Sequence, residues 1–343
     1  MAEQLTAKPA RKRWFRADNV RYLLLFNVIA EHTLTQTGIT CTGILELFVV
    51  WSRLVTMPTF CFLSGYFSKN TDKRYRTAIG DFLIPYIIFD GIFFLIYGGT
   101  YTDNIFTPVF LYWYMLSMFF WNIMARGLEK IRGIVPISIV VALLVGMLPD
   151  VSRFLSLSRT IVFLPYFMFG LLLSREGMAK IENLNRWVVT AATIVVVAIV
   201  GWAELSGVYD IDFFYDWDSY SAFGYSAVKG ILLRLAGYGV SGLFIVAMFV
   251  TVPDRHMPLA SEGGTRTMMP YLLHAYVIFF LKIFVVPYVP AMDHWYVMLP
   301  LAFGLAVLLL WLLGLPAFND LYNDFVGGIK KLLFKPDEEP KKV

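Results

Sequence analysis

Residues 296–315 read YVMLPLAFGLAVLLLWLLGL, twenty consecutive positions without a charged side chain. At about 1.5 Å of rise per residue, a helix of that length crosses the roughly 30 Å hydrocarbon core of a bilayer. Comparable apolar runs occupy 187–202, 235–252 and 271–286. The whole chain of 343 residues is 58% hydrophobic and only 16% charged, with a mean hydropathy of +0.64. A soluble domain carries about a quarter charged residues. The apolar surplus is dealt out in segments of membrane-crossing length, so it does not describe one large soluble core. Walking outward from 296–315 predicts helices over 20–36, 43–68, 77–100, 108–126, 134–149, 158–174, 186–204, 226–252, 267–287 and 295–315. The expected fold class is all-α, a polytopic membrane helix bundle of about ten spans.

The connections carry the charge. Basic residues collect in the N-terminal arm (Lys8, Arg11, Lys12, Arg13, Arg16), then in every second loop: Lys69, Lys73, Arg74 and Arg76; Arg126, Lys130 and Arg132; Arg175, Lys180 and Arg186; Arg255 and Arg266. The intervening loops hold little Lys or Arg, and Glu204–Ser226 is acidic and aromatic. Positive residues favour the cytoplasmic side, which predicts both termini there. Arg153 and Arg159 break the alternation, either as snorkelling residues or as an outer patch for an anionic acceptor. The expected organisation is a cytoplasmic basic arm at 1–19, a transmembrane domain at 20–315 and an amphipathic, charged cytoplasmic tail at 316–343. Within that tail Phe325, Ile329, Leu332 and Leu333 share a face suited to the membrane surface, beside Lys330 and Lys331.

A formal charge of +4 is too small to indicate a nucleic-acid partner. Two cysteines, Cys41 and Cys61, give no reason to expect a disulfide or a metal site. No G-x-S-x-G elbow and no H-E-x-x-H spacing occurs. The basic N-terminus followed by an apolar stretch looks like a secretion signal, but Asn27, Glu31 and His32 interrupt the stretch and no small-residue cleavage site follows. It reads as an uncleaved helix.

Ionisable groups inside a span cost a few kcal/mol each, so they are functional candidates. Arg21 and His32 lie eleven residues apart in the first predicted span. Eleven steps of about 100° make three turns and roughly 20°, so both side chains share a face, about 16 Å apart along the axis. Thr35 and Gln36 extend that face. A polar seam gluing helices together is the structural alternative. Neutral imidazole takes protons near pH 7, which suits His32 to general base work on an alcohol. Glu31 is a candidate partner, but adjacent helical residues point about 100° apart, so Asn27 or a neighbouring helix is its expected contact. Arg53 in the second span is expected to pair with Glu31 or Glu46. His274, in the ninth span, and Ser64 are further polar candidates. Lys73, Arg74 and Arg76 are candidates for a phosphorylated cofactor, although lipid headgroups or the positive-inside pattern explain them equally well. The loop Tyr209–Tyr220 offers aromatic rings either for sugar stacking or for an interfacial belt.

These residues, taken in order, resemble the membrane-bound acyltransferase-3 family, in particular its fucose 4-O-acetylase-like branch. Asp18-Asn19-Val20-Arg21 followed by His32 is similar to that family's first-helix signature, and Met57-Pro58-Thr59-Phe60-Cys61-Phe62-Leu63-Ser64-Gly65-Tyr66-Phe67 to its second. Phe82-Leu83-Ile84-Pro85-Tyr86, Trp113-Tyr114-Met115-Leu116, Phe163–Gly170 and Gly264 through His274 follow in the family's order, so the resemblance runs from about residue 16 to 315. It implies an integral membrane O-acyltransferase that moves an acyl group, typically acetyl, from acetyl-CoA or another acyl-CoA to a hydroxyl of a cell-envelope glycan or glycolipid, without a metal. His32 would be the base, with Arg21 and Glu31 beside it. Lys73, Arg74 and Arg76 would serve the cofactor, and Arg53, Ser64, Trp113 and His274 the substrate or the polar scaffold. Thr56 stands where that family often has histidine, Tyr22 where it often has glycine, and Arg74 and Arg76 replace a wider Arg-x-x-Arg. The setting would be a cell membrane of bacterial inner-membrane type, among membrane lipids and possible envelope-biosynthesis partner proteins. A transporter or flippase of a polar lipid or glycan, and a non-catalytic assembly partner, are the competing readings.

Overall fold

The computed structural model describes residues 13–37, 43–101, 104–109, 111–151 and 153–334. Regular structure among them is entirely helical. Cys41, the basic residues Lys8, Arg11 and Lys12, and the last residues of the charged tail lie outside the described residues. The main helices are α1 (Phe15–Gln36), α2 (Ile44–Tyr66), α3 (Thr71–Ala78), α4 (Ile84–Tyr101), α5 (Trp113–Leu128), α6 (Ile134–Val145) and α7 (Leu157–Leu172). They continue with α8 (Arg175–Glu182), α9 (Arg186–Leu205), α10 (Ala227–Thr251), α11 (Pro258–Gly263), α12 (Met268–Phe284), α13 (Trp295–Leu313) and α14 (Pro316–Leu333). A π-helical turn at Ile79–Leu83 joins α3 to α4.

Every segment expected to cross the membrane is helical, but the segments are not equivalent. Among the described residues, seven helices are long and apolar enough to cross a membrane, as befits a multi-pass membrane protein. The other three of the expected ten differ for physical reasons. α5 and α6 have 16 and 12 residues, fewer than the roughly 20 that a helix needs to cross the hydrocarbon core. α1 has 22 residues but carries Asp18, Arg21, Glu31 and His32. It starts at Phe15, before the expected 20, and the tail helix starts at Pro316, well before the amphipathic stretch around Phe325.

Local chemistry sets the boundaries. Asn185 caps α9 by accepting from the backbone N–H groups of Trp187 and Val188, Ser226 caps α10 through Lys229, and Pro258 and Pro316 open α11 and α14 where a missing N–H costs nothing. α9 is the opposite of α1. Only Val189 and Glu204 are buried in it, so its apolar surface is left for lipid. α1 has buried residues on every side and packs against α2, α11, α12 and α13. The polar helix therefore sits inside the bundle and the greasy one outside it.

The frame around α1 depends on one tight crossing. Gly65 of α2 lies against the backbone carbonyl of Phe167, and Gly170 of α7 lies against that of Phe62. A Cβ at either position would collide with main chain. Small residues let two membrane helices approach to backbone contact. This crossing brings the Met57–Phe67 and Phe163–Gly170 stretches together beside α1.

Candidate functional site

The site grows from the last turns of α1. His32 Nδ1 lies 3.0 Å from His274 Nε2 of α12, and His274 Nδ1 lies 2.9 Å from the carbonyl oxygen of Pro270. A carbonyl only accepts, so His274 carries its proton on Nδ1 and presents the Nε2 lone pair. His32 must then donate from Nδ1, which leaves its lone pair on Nε2. The ring planes lie within 11° of each other, which suits an in-plane bond. Two residues singled out on distant helices thus form one relay that sets the tautomer of His32.

His32 Nε2 faces Glu31 Oε2 at 3.5 Å. Helical phase argued against that approach. The glutamate side chain is long enough to curl back, and Asn27 bonds instead to Ser52 and Thr56 on α2 at 2.9 and 2.5 Å. Glu31 Oε1 lies 3.7 Å from Arg53 Nε and accepts from the Tyr215 hydroxyl at 3.4 Å. Glu31, not Glu46, is therefore the helix-borne carboxylate beside Arg53. A second carboxylate comes from the loop: Arg53 Nη1 reaches Asp212 at 3.0 Å and also donates to the Ile211 carbonyl. Arg53 stacks over the Tyr215 ring, 3.5 Å from its centre.

Glu31, His32, Gln36, Arg53, Trp113 and Arg159 line a small cavity of about 70 Å³, closed by Phe214, Tyr215 and Trp217 from the loop after α9. Arg159 is not a snorkelling residue. It is buried on α7, donates to the Tyr215 carbonyl at 2.8 Å and packs its guanidinium against Trp113 and Trp217. Arg153 does stay near the surface, paired with Asp218 at 2.9 Å. Arg234 on α10 meets Asp216 at 3.2 Å and the Ala142 carbonyl at 3.0 Å. Burial, and then the Glu31 carboxylate, push the Tyr215 phenol above its ordinary value, so it remains a neutral donor. Burial likewise raises the Asp216 carboxyl, opposed by Arg234 and Arg159.

A larger cavity of about 370 Å³ lies beside the N-terminal half of α1. Arg21 and Arg74 are its cations, Ser64 and Tyr114 its main hydroxyls, and Met57, Met115, Met118 and Met268 much of its apolar wall. Ser64 Oγ and the Tyr114 hydroxyl are 2.5 Å apart. Arg21 stacks 4.2 Å from the centre of the Phe67 ring and meets Asp18 at 3.5 Å. Val28, Met57 and Tyr271 line both cavities and form the partition between them. Of the three candidate cofactor residues only Arg74 lines this cavity. Lys73 and Arg76 are exposed on another face of α3, because successive helical positions diverge by about 100°.

Sequence reasoning missed Arg234 and Tyr114, and it treated Tyr215 and Trp217 only as members of an aromatic loop. A lone arginine inside the apolar run 227–251 was the available signal for Arg234. Among the described residues no three His, Cys, Asp or Glu side chains gather as metal ligands would. No family model, no curated protein and no solved structure matches the chain.

Proposed function

We propose that this protein is an integral membrane O-acyltransferase that moves an acyl group, typically acetyl, from acyl-CoA to a hydroxyl of an envelope glycan or glycolipid. The observation that supports this most is the position and tautomer of His32. Its ring lines a cavity together with Glu31, whose carboxylate lies 3.5 Å from Nε2, next to a partition beyond which lies a second cavity with cations at the N-terminal end of α1. In this reading the large cavity opens to the cytoplasm and admits the pantetheine arm, with Arg74 and Arg21 attracting the phosphates. Both termini are cytoplasmic and the chain crosses about ten times, with α1 and α5 shielded by the other helices. The small cavity faces the opposite side.

The acceptor oxygen attacks the thioester carbonyl carbon while His32 Nε2 takes its proton. The C–S bond then breaks, and the proton passes from the imidazolium to the leaving thiolate, so the histidine ends as it began. His274 holds the imidazole in the required tautomer, and Glu31 stabilises the imidazolium while it exists. Proximity contributes as well, because only Val28, Met57 and Tyr271 stand between the two cavities, and the thioester passes between them to meet the acceptor beside His32.

The test is acetyl transfer by purified protein in lipid nanodiscs, with radiolabelled acetyl-CoA and a panel of glycolipids. Labelled glycolipid from wild type and none from His32→Ala supports the reading. Movement of an unmodified glycolipid across the bilayer without any need for acyl-CoA would instead favour a transporter.

A further inference from the structure

The small cavity is too small for the acceptor it is meant to hold. At about 70 Å³ it falls well below the roughly 300–1,000 Å³ of ordinary ligand sites. What fills the missing space is the protein's own segment 210–218. Phe214, Tyr215 and Trp217 form the wall opposite His32. Buried arginines on three helices hold this one segment: Arg53 through Ile211 and Asp212, Arg159 through the Tyr215 carbonyl, and Arg234 through Asp216. Ser158 adds a bond to the Asp216 carbonyl at 2.8 Å.

We propose that the space taken by Tyr215–Trp217 is the acceptor site in its closed form, and that its ligand is an acidic sugar bearing a carboxylate or a phosphate beside its ring hydroxyls. The proposal rests on the acyltransferase reading for the role of that ligand. The segment shows what the site accepts. It offers Arg53 a carboxylate and a carbonyl, offers Arg159 a carbonyl, places a hydroxyl on Glu31 beside the catalytic imidazole, and lays flat rings against guanidinium groups. A sugar acid brings the same set: an anion, acceptor oxygens, a hydroxyl at the reacting position and a flat face. Trp113, on α5, stays in the wall when the segment lifts and offers a ring for that face to pack on.

Charge selects the acid over a neutral sugar. The Arg53 side chain is 6% exposed, and its Nε lies 3.7 Å from Glu31 and makes no hydrogen bond among the described residues. Lifting the segment removes Asp212 and the Ile211 carbonyl from it. A neutral sugar would leave Arg53 with the Glu31 carboxylate alone and one anion fewer than in the closed form, whereas a carboxylate or phosphate takes the place of Asp212.

The test is calorimetric titration of the full chain in nanodiscs, without any acyl-CoA, against methyl glucuronide, glucose 1-phosphate and methyl glucoside. The expected result is binding of at least one acidic sugar about tenfold or more tighter than the neutral one, with the carboxylate and phosphate arms naming the anion. Asp212→Asn, at an exposed side chain, loosens the segment and so enlarges the open fraction, which should tighten acidic-sugar binding by about tenfold. Equal binding of the neutral sugar, no binding of either acid, or an affinity that Asp212→Asn leaves unchanged or weakens overturns the proposal. Acidic-sugar binding with no acyl transfer to any acceptor would remove the acyltransferase reading and leave this site standing. Transfer to neutral glycans with no acidic-sugar binding would do the reverse.

Discussion

The large cavity is walled by four methionines and apolar rings with two arginines at one end, whereas the small one is walled by two arginines, a glutamate, a histidine and mostly aromatic rings. They share Val28, Met57 and Tyr271, yet one is open at about 370 Å³ and the other nearly filled at about 70 Å³. Methionine side chains are flexible and adapt to what enters, so the wall of the first space can reshape around an occupant. Buried charges need partners at all times, so the second space is kept occupied by a segment that supplies them. The way each wall is stabilised decides whether the protein's own chain fills its cavity.

The largest effect expected from breaking this arrangement is in the small cavity. His32→Ala should lower acyl transfer by roughly 10²–10⁴-fold, while acetyl-CoA binding, measured by calorimetry, stays within about twofold. Retained transfer would show that His32 is not the base. Next comes the large cavity alone. Arg74→Ala removes a charged contact worth about 1.5–3 kcal/mol, so KM for acetyl-CoA should rise by roughly 10–100-fold with kcat nearly constant. A fall in kcat at unchanged KM would place Arg74 outside donor binding. Met57→Ala thins the partition, and thioester hydrolysis in the absence of acceptor should rise several-fold as water crosses from one cavity to the other. Unchanged hydrolysis would mean that Val28 and Tyr271 suffice as the seal. The smallest effect belongs to Lys73→Ala and Arg76→Ala, each expected to shift donor binding by less than about 0.5 kcal/mol. A tenfold loss for either would return the cofactor site to the outer face of α3.

The sequence revealed the helices well because apolar runs such as 296–315 and 187–202 are local signals. It overstated α5 and α6, where Trp113–Leu128 and Ile134–Val145 form helices shorter than the runs around them implied. It placed Arg21 and His32 on a line, since phase is a local property. It could not show that His32 bonds to His274, because that bond joins residues 242 apart. The same holds for Arg159 with Tyr215 and Arg53 with Asp212, where the loop partner returns from a distant stretch. Lys73 and Arg76 were grouped with Arg74 by proximity in sequence, and the pitch of α3 separates them. Glu31 shows the limit of phase alone: backbone direction pointed it away from His32, and side-chain length brought it back.

The polarity of α1 also bears on how the protein is made. Insertion into a bilayer during synthesis depends on the hydrophobicity of each emerging helix, and an Asp or Arg near the centre of a span opposes it by about 2.5–3.5 kcal/mol. Of the helices described, α1 is made before the others; Asp18 and Arg21 can pair within it, but Glu31 and His32 emerge without the neighbours that later shield them. Arg53 comes with α2, whereas His274 and the α13 surface follow only after eight or more further helices. α1 thus reaches its final depth only after these later helices arrive. A nascent chain stalled after α1 should remain extractable from the membrane by carbonate, and one extended through α13 should resist it.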